Sequence, residues 1–355
     1  MRVPGADGDP RSALWVVGRD YGETEQRLGL PFQGAAGHVL DRALATAGLR
    51  REDVFITNVV NQRPAGNKWE MHSNETIRAG LGNLHRLLSD YRPRVVVPLG
   101  NEAFRAVMKV APDDADALPS ITEARGYIWE GWWGASHVIP AIHPAAALRE
   151  WVPSRLLLDL DLKKAAAELH AGCPALPERE VRFVTDEMEA QIIEVGLLKA
   201  KKLSVDIENF DAQKLACVGF APSATVAWVI PAYAEWQVRL IKRLCESEVP
   251  KVLQHGAYDR YFLRSRCGIE LHNQVFDTML GWHCAQPELA GQAQEKRRTK
   301  RTTKSLEFLA SIFCRARHWK SYDFKRESER WHLCGLDCCY TFEIAEKLER
   351  ELEGV

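Results

Sequence analysis

Short apolar runs alternate with helical segments through the first half of the chain. The runs at residues 13–17, 54–60, 94–100 and 132–142 end at glycine or polar residues. Between them, residues 29–37 open a helix that runs towards Ala47, and a second helical segment spans about 75–88. Strands that alternate with helices favour a parallel α/β sheet, with ligand groups at the carboxyl ends of the strands. Asn101 follows the third run, and we expect it to be the N-cap of the next helix.

The length of 355 residues favours two domains. Residues 155–170 have the spacing of an amphipathic helix, and residues 171–180 then break that periodicity with a glycine and two prolines. Such a break is typical of an interdomain linker. We therefore expect a first domain over residues 1–170, a linker over 171–180 and a second domain over 181–355.

The second half opens its sheet with a strand at residues 202–210. This strand ends by placing Asp206 and Glu208 two residues apart, so both side chains point to the same face. Two carboxylates roughly 7 Å apart repel each other unless a cation lies between them. The alternative is a strand end with two solvated acids. Runs at 215–221 and 226–231 indicate two further strands, which would form the antiparallel part of a mixed sheet.

Composition restricts the class of protein only weakly. The net charge is −1, so any surface for nucleic acid must come from local patches. The chain has no run of about 18 apolar residues and no signal-peptide pattern, which predicts a cytoplasmic protein of a bacterium or of a phage-infected host. All nine cysteines lie from Cys173 onward. We expect reduced, mostly buried thiols, although a metal role for Cys334 and Cys338 is conceivable.

Four motifs of the first half follow one another in a recognisable order. They are 18–22 (GRDYG), 31–37 (PFQGAAG), 56–60 (ITNVV) followed by Arg63 and Pro64, and 143–149 (HPAAALR). Together they resemble the uracil-DNA glycosylase superfamily, closest to its families four and five, over about residues 15–149. The resemblance implies a parallel-sheet sandwich that acts on or binds DNA.

The resemblance assigns roles by position. Phe32 would stack on a flipped base, Asn58 would read its polar edge, and His143 would stabilise the charge that develops on the pyrimidine oxygen. Arg63 and Arg149, which belong to the same motifs, would contact the nucleic acid. The alternatives are a core phenylalanine, an asparagine in a turn and a structural His-Pro corner.

The sequence departs from this superfamily in two ways. Family four binds an iron–sulfur cluster with four cysteines, and the first 172 residues have none, so we expect no such cluster. Arg19 replaces the glutamate of the family-four loop, and Asp20 falls where family one carries its water-activating aspartate. Asp20 is thus the candidate base, with Tyr21 in an unusual position beside it. Uracil excision and DNA binding without excision both remain open.

Three acidic motifs of the second half have the order of a nuclease. Asp206-x-Glu208 is the first, the second ends at Asp259 and the third ends at Asp337. This order resembles the DEDD superfamily of 3′–5′ exonucleases, found as proofreading domains of family A DNA polymerases and in RNase D. The resemblance implies a ribonuclease H-like mixed sheet with two Mg²⁺ or Mn²⁺ ions. Asp206 would bridge both ions, Glu208 and Asp337 would complete one site and Asp259 would support the other. Asp277 is a competing acid, better explained as structural.

The activating base is harder to assign. One subclass of the superfamily uses a tyrosine four residues before the last aspartate, where this chain has Leu333; the other uses a histidine five residues before it, where this chain has His332. Side chains five apart on an ideal helix point about 140° away from each other, so His332 would reach the site only from an irregular segment before the helix. A surface histidine beside Trp331 is the alternative.

Further contacts to the substrate strand are implied at two places. His255 stands where relatives carry an asparagine that touches the strand, although simple packing would explain it equally. The basic run at residues 295–304 includes Arg297, Arg298 and Arg301, which we expect to contact phosphates rather than form only a solvated loop.

The two resemblances combine into one hypothesis. We expect a 3′–5′ exonuclease, with DNA favoured as its substrate, joined to a glycosylase-like module. The exonuclease would act on single-stranded 3′ ends in replication proofreading or repair. Only 18 residues follow Asp337, too few for a polymerase module. Phage polymerases with a similar domain order are known, so a separate DNA polymerase is the expected partner. The alternative is a replication accessory protein whose nuclease domain is weak or inactive.

Overall fold

The fold is described from a computed structural model that covers residues 3–110, 114, 117–134, 136–149, 151–290, 303–319 and 326–353. The chain divides into two compact units. One contains Met1–Leu176 with Ala316–His318, and the other contains Pro177–Arg315 with Trp319–Val355. Across the described ranges, no helix combines the length and apolar character needed to cross a bilayer.

The first unit is built on a five-stranded sheet. Its strands are β1 (Leu14–Gly18), β2 (Phe55–Asn58), β3 (Val95–Pro98), β4 (Trp129–Glu130) and β5 (His137–Val138), in the spatial order β2-β1-β3-β5-β4. β1, β2, β3 and β5 run parallel, and β4 pairs antiparallel with β5 at one edge. The carboxyl ends of β1 and β2 lie side by side because Gly18 is in register with Asn58.

Helices cover both faces of this sheet. They are α1 (Glu23–Leu28), α2 (Ala35–Thr46), α3 (Asn74–Tyr91), α4 (Asn101–Val107), α5 (Ile121–Ala124), α6 (Pro144–Ala147) and α7 (Trp151–Ala171). The apolar run of β1 supplies both cores by alternation: Val16 packs with Leu40 and Leu158 on one face, whereas Trp15 and Val17 face the other. Both faces of β1 are therefore buried, as parallel strands require.

The second unit is built on a six-stranded mixed sheet. Its strands are β6 (Glu180–Phe183), β7 (Leu203–Asn209), β8 (Leu215–Ala221), β9 (Val226–Pro231), β10 (Lys251–Leu253) and β11 (Gln274–Asp277), in the order β11-β10-β7-β8-β9-β6. β8 is antiparallel to β7 and β9, and the other neighbours are parallel. The expected antiparallel segment of a mixed sheet is confirmed.

The helices of the second unit are α8 (Glu187–Leu198), α9 (Glu235–Cys245), α10 (Gly256–Phe262), α11 (Thr278–Ala285), α12 (Pro287–Ala290), α13 (Leu306–Phe313) and α14 (Glu327–Glu353). One face of β7, with Val205 and Ile207, packs into the apolar cluster that includes α8 and α9. The other face carries the side chains of alternate residues, Ser204, Asp206 and Glu208. This face meets α14, because the Ser204 hydroxyl donates to the carbonyl of Cys338 at 2.6 Å.

Two glycines let α14 approach the sheet closely. A Cβ on Gly219 of β8 would lie 2.6 Å from Cys338 Sγ, and a Cβ on Gly335 of α14 would lie 2.4 Å from Val181 Cγ1. Real Cβ atoms do not tolerate such distances, so both positions need glycine. The close approach places the carboxylate of Asp337 near those on β7.

The cysteines are reduced, as expected from their scattered spacing. Six are buried (Cys217, Cys245, Cys314, Cys334, Cys338 and Cys339), Cys173 and Cys267 are partly exposed, and Cys284 is exposed. Cys334 and Cys338 pack between α14 and β8 rather than forming part of the one metal-compatible cluster found in the described residues.

Three details of the sequence predictions were wrong. Gly100, with φ of 92°, is the N-cap of α4, and the side chain of Asn101 instead accepts a hydrogen bond from the backbone of Ile121 at 2.7 Å. Within the described part of the fourth run, residues 132–142, only His137–Val138 form a strand (β5), and a second short strand (β4, Trp129–Glu130) precedes the run. The first sheet is therefore not wholly parallel, and a two-residue antiparallel strand closes its edge.

Candidate functional site

Three carboxylates meet where β7 passes beneath α14. Asp206, Glu208 and Asp337 each offer an oxygen, and these oxygens lie within 4.8 Å of one another. Asp206 and Glu208 share a face of β7 by strand alternation, and Asp337 comes from the buried side of α14. Like charges this close favour a bound cation. Of the four acids predicted for this site, the structure thus brings three into one cluster.

The fourth acid, Asp259, lies on α10 outside this group. It is 6% exposed, and backbone amides of Asp259 and Ile207 donate to its carboxylate. Burial raises the pKa of Asp259 to about 7, with smaller upward contributions from the charges of Asp277 and Glu208. Its amide contact to Ile207, the residue between Asp206 and Glu208, places it beside the cluster.

Asp277 has a structural role in this structure. Its carboxylate accepts hydrogen bonds from four backbone amides, those of His255, Gly256, Met279 and Leu280, at 2.8–3.3 Å. These bonds tie the turn after β10 to the start of α11. His255 itself is exposed and left-handed, with φ of 59°, a conformation in which Asn, Asp and His are over-represented.

The predicted irregular segment before Asp337 is wrong. α14 begins at Glu327, so His332 and Leu333 both lie within a continuous helix. At 100° per residue, His332 points about 140° away from Asp337, and its side chain is exposed. Leu333 is 6% exposed and apolar. Leu333 lies one turn before Asp337 on the same face of α14, but its apolar side chain cannot take a proton, and His332 points elsewhere.

The donor set of the cluster suits hard divalent cations. Mg²⁺ and Mn²⁺ prefer carboxylate oxygens, and the three clustered acids are of this type, with a fourth beside them. Because Asp337 and Asp259 are buried, a negative charge on either carboxylate costs free energy unless a cation compensates it. Asp206, Glu208 and Asp337 would hold one ion, and Asp206 with Asp259 would hold a second.

The first unit has a second constellation at the carboxyl ends of β1 and β2. Gly18 ends β1 beside Asn58 and Phe32, so closely that a Cβ on Gly18 would lie 2.1 Å from Asn58 Oδ1 and 2.7 Å from the Phe32 ring. Asn58 is 4% exposed, and its Oδ1 has no hydrogen-bond partner within the described ranges of the chain. A buried amide oxygen without a partner is rare in folded proteins and indicates a ligand position.

The backbone of Phe32 is held in an unusual conformation. Its φ is 51°, and the Arg51 guanidinium donates to the carbonyls of Pro31 and Phe32 at 2.9 and 3.2 Å. Glu25, 9% exposed, accepts from the amides of Gln33 and Gly34, each at 2.8 Å. A non-glycine residue with a positive φ, such as Phe32, costs free energy, and residues of this kind cluster at functional sites. Arg51 and Glu25 were not predicted from the sequence.

His143 faces Phe32 and is a neutral hydrogen-bond donor. The two ring centroids are 5.7 Å apart, and the amide of Ala145 donates to His143 Nδ1 at 3.1 Å. Because Nδ1 accepts, the proton of the neutral imidazole must lie on Nε2. Burial, helped by the charges of Arg19 and Arg149, lowers the pKa of His143 to about 4.

Asp20 lies in a buried charge cluster with His72. The Arg19 guanidinium donates to Asp20 Oδ1 at 3.1 Å, and His72 Nε2 is 3.4 Å from Asp20 Oδ2. Apart from this contact, neither of the two facing atoms has a hydrogen-bond partner among the described residues, although both side chains are at most 6% exposed. Burial raises the pKa of Asp20, and Arg19 and His72 offset part of that effect. His72, which follows the turn Trp69–Met71, was not predicted from the sequence.

Comparisons with known proteins address both halves. The sequence model of the uracil-DNA glycosylase superfamily matches residues 6–168. The type-4 uracil-DNA glycosylase of Sulfurisphaera tokodaii is 36% identical over 166 residues, which are 46% of this chain and 72% of that protein. The enzyme of the same name from Pyrobaculum aerophilum is 36% identical over 150 residues, which are 42% of this chain and 74% of that protein.

Through its first half, the chain belongs to the uracil-DNA glycosylase superfamily. The second half matches the sequence model of a 3′–5′ exonuclease family over residues 181–353. The catalytic core of RRP6 from Trypanosoma brucei gives a TM-score of 0.38 at 16% identity, over 49% of this chain and 48% of that one. The chain spans about half the length of that core. The protein therefore joins an exonuclease-like half to a half of the uracil-DNA glycosylase superfamily.

The structure also places Arg63, Tyr21 and Arg149. In the glycosylase-superfamily half, Arg63 is exposed and pairs with Glu23 on α1 at 3.6 Å. Tyr21 is structural: its hydroxyl lies 2.7 Å from the Gly5 carbonyl and 3.1 Å from the Gly29 carbonyl. Arg149 is exposed beyond α6. Arg297, Arg298 and Arg301 lie outside the described residues.

Proposed function

We propose that the second half is a divalent-metal-dependent 3′–5′ exonuclease and that DNA is its substrate. The observation that supports this most directly is the convergence of Asp206, Glu208 and Asp337. The match to a 3′–5′ exonuclease family over the same residues supports the direction of cleavage. The preference for DNA is supported by the DNA-acting superfamily of the first half.

The acids of this chain would hold two ions around a phosphodiester. When bound, the ions would supply the positive charge that stabilises the attacking and leaving oxygens. Asp206 and Glu208 keep fixed positions because β7 is paired on both sides, with β8 and β10. Arg330 lies two helical turns before Asp337, on the same face of α14, and donates to the Asn209 carbonyl at 2.7 Å. It would place a cation beside the substrate strand.

The test is stepwise shortening of a 5′-labelled single strand in Mn²⁺. We expect wild type to produce a ladder and Asp206→Asn to leave the strand intact. Glu235→Gln, which neutralises an exposed acid on α9, is the matched control and should cut at the wild-type rate. A wild-type protein that leaves DNA intact across metals and pH would remove the nuclease proposal and favour an accessory role. The same assay on an RNA strand of the same sequence decides whether DNA or RNA is the substrate.

We also propose that the first half excises uracil from DNA. Supporting this are two buried amide oxygens, Asn58 Oδ1 and Asn61 Oδ1, that have no hydrogen-bond partner among the described residues, together with the buried pair of Asp20 and His72. Asn58 would pair with the edge of a flipped uracil and Phe32 would stack on it. Asp20 would take a proton from the attacking water as the bond between C1′ and the base nitrogen breaks. The Nε2 proton of His143 would stabilise the charge on the departing base.

Alkali treatment of a labelled uracil oligonucleotide measures this activity. Wild type should create alkali-labile sites only at uracil, and Asn58→Ala should create none. Asn83→Ala, on the exposed surface of α3, provides the control for removal of an amide. A uracil-free oligonucleotide must stay intact. Equal scission in both oligonucleotides, or none in either, would leave this half as a DNA-binding module.

A role in replication proofreading or repair, with a separate DNA polymerase as partner, is part of the same proposal. Proofreading requires that a 3′ end be handed from a polymerase to the exonuclease. Addition of a purified replicative polymerase from the same source should accelerate removal of a mismatched 3′ nucleotide more than of a matched one. Identical acceleration of both ends would argue against proofreading.

A further inference from the structure

Asp337 accepts a hydrogen bond from a tryptophan. The indole Nε1–H of Trp319 donates to Asp337 Oδ1 at 3.0 Å. Asp337 is 5% exposed, and it belongs to the carboxylate cluster with Asp206 and Glu208. A carboxylate can accept an N–H on one oxygen while its remaining lone pairs serve a cation, so the tryptophan contact and a role in ion binding are compatible.

An aromatic stack holds the indole in place. The rings of Trp319 and Tyr340 are stacked, with centroids 3.9 Å apart and planes 30° apart. The Arg179 guanidinium lies 4.1 Å from the Tyr340 centroid and pairs with Glu343. Tyr340, 4% exposed, lies three residues after Asp337 on the same helix. The helix that carries the carboxylate therefore also carries the base of the stack, which fixes the indole relative to Asp337.

We infer that Trp319 is a positioning residue for the divalent cation site. Its indole N–H would hold the Asp337 carboxylate in one orientation, so that the cluster is preorganised before an ion binds. Hydrogen bonds to ligating carboxylates orient metal ligands in many sites, and their loss costs about 10–100-fold in metal affinity or activity. This inference rests on the proposed nuclease function, because it assigns Trp319 to the site of that function.

Trp319→Phe separates the hydrogen bond from the packing. Phenylalanine keeps an aromatic face against Tyr340 but has no N–H. Trp282→Phe is the matched control, because Trp282 is also in the second unit, is 1% exposed and donates its Nε1–H to the carbonyl of Thr303 at 2.9 Å. Both variants lose one indole N–H, and only Trp319→Phe loses the one at the carboxylate cluster.

The primary readout is the binding of Mn²⁺ to the full chain. The electron paramagnetic resonance signal of the free ion measures this binding. We expect Trp319→Phe to bind Mn²⁺ about 10–100-fold more weakly than wild type and Trp282→Phe to bind it equally well. We also expect the nuclease rate of Trp319→Phe to recover toward wild type at saturating Mn²⁺. A purely structural role would not give a defect that excess metal repairs.

The outcomes separate the inference from the function on which it rests. Wild type that binds no Mn²⁺ would overturn the proposed function. Wild type that binds Mn²⁺, with equal affinity in Trp319→Phe, would overturn the inference alone, and so would equal weakening in both tryptophan variants. If Trp319→Phe does not fold, Tyr340→Leu removes the stacking surface while both hydrogen-bonding groups remain. It should weaken Mn²⁺ binding, and wild-type affinity in that variant would contradict the inference.

Discussion

Burial keeps His143 neutral, and one backbone amide decides which ring nitrogen carries the proton. Because the Ala145 N–H donates to Nδ1, protonation of the ring would replace an acceptor with a second donor facing that amide. Burial adds to this cost and lowers the pKa to about 4. The imidazole thus remains a neutral donor through the physiological range, which suits a group that stabilises negative charge on a departing base.

The low pKa of His143 predicts how stability depends on pH. Between about 6.5 and about 4 the unfolded chain binds a proton at this position and the folded chain does not, so stability falls as the pH falls. The slope from this group approaches about 1.4 kcal/mol per pH unit within that window. His143→Asn, which can still cap α6, should lack this contribution. Urea unfolding at pH 7, 6 and 5 measures it, and parallel curves for the two proteins would refute it.

His332 gives a prediction of no effect. Its side chain is exposed and points about 140° away from Asp337 along α14. We therefore expect His332→Ala to keep the nuclease rate within about twofold of wild type and to leave its pH profile unchanged, since surface substitutions change stability little. Rates from pH 6 to 9 provide the measurement. A loss of ten-fold or more would show that α14 rearranges during the reaction.

Individual residues were predictable where a motif fixed them and unpredictable where only the fold did. Asp206, Glu208 and Asp337 were predicted because strand alternation and motif order carry the information. His72, Glu25, Arg51 and Trp319 were missed, because each reaches its partner in a different element or loop, and only the folded backbone brings the two together. Nothing in the residues around His72 indicates that its ring will lie 3.4 Å from Asp20.

The turn between β10 and α10 depends on Asp277. Its carboxylate joins two backbone amides at the start of α10, those of His255 and Gly256, to two at the start of α11, so it stabilises the element that carries Asp259. Asp277→Ala leaves these donors without their acceptor, and unsatisfied buried donors cost about 1–3 kcal/mol each.

We expect Asp277→Ala to unfold at a clearly lower temperature than wild type and to lose most nuclease activity. Asp186→Ala is the comparison, because Asp186 accepts one amide hydrogen bond at the N-cap of α8. An N-cap substitution of this kind costs about 1 kcal/mol. Thermal unfolding by circular dichroism ranks the two variants. If Asp186→Ala proves the more damaging, the role assigned to Asp277 is wrong.

At the scale of elements, the long periodic segments were predicted and their ends were not. The helices near residues 75–88 and 155–170 and the strands β7, β8 and β9 match their apolar periodicity. α14 starts earlier than expected, because Glu327 and Glu329 in its first turn complement the helix dipole. Gly100 displaces Asn101 as a cap because its φ of 92° suits the turn after β3.

Across the whole molecule, the two units have separate apolar cores. Substitutions that share no partner have additive effects, so the two proposed activities should be lost independently. We expect Asp206→Asn to abolish strand shortening and keep uracil release, and Asn58→Ala to do the opposite. The double variant should lack both activities. Assays of all three proteins on one uracil-containing strand test this, and loss of both activities in a single variant would reveal coupling.

The distribution of the thiols allows detachment of α14 from the sheet of the second unit to be measured. Eight of the nine cysteines belong to the second unit, and Cys173 lies near the end of the first. A maleimide dye applied to the folded protein should modify Cys284 rapidly, because it is the exposed thiol. Cys217, Cys334 and Cys338 should react only when α14 lifts from the sheet. Mass spectrometry of the dye count over time would thus follow the detachment of the helix that carries Asp337, with no engineered label.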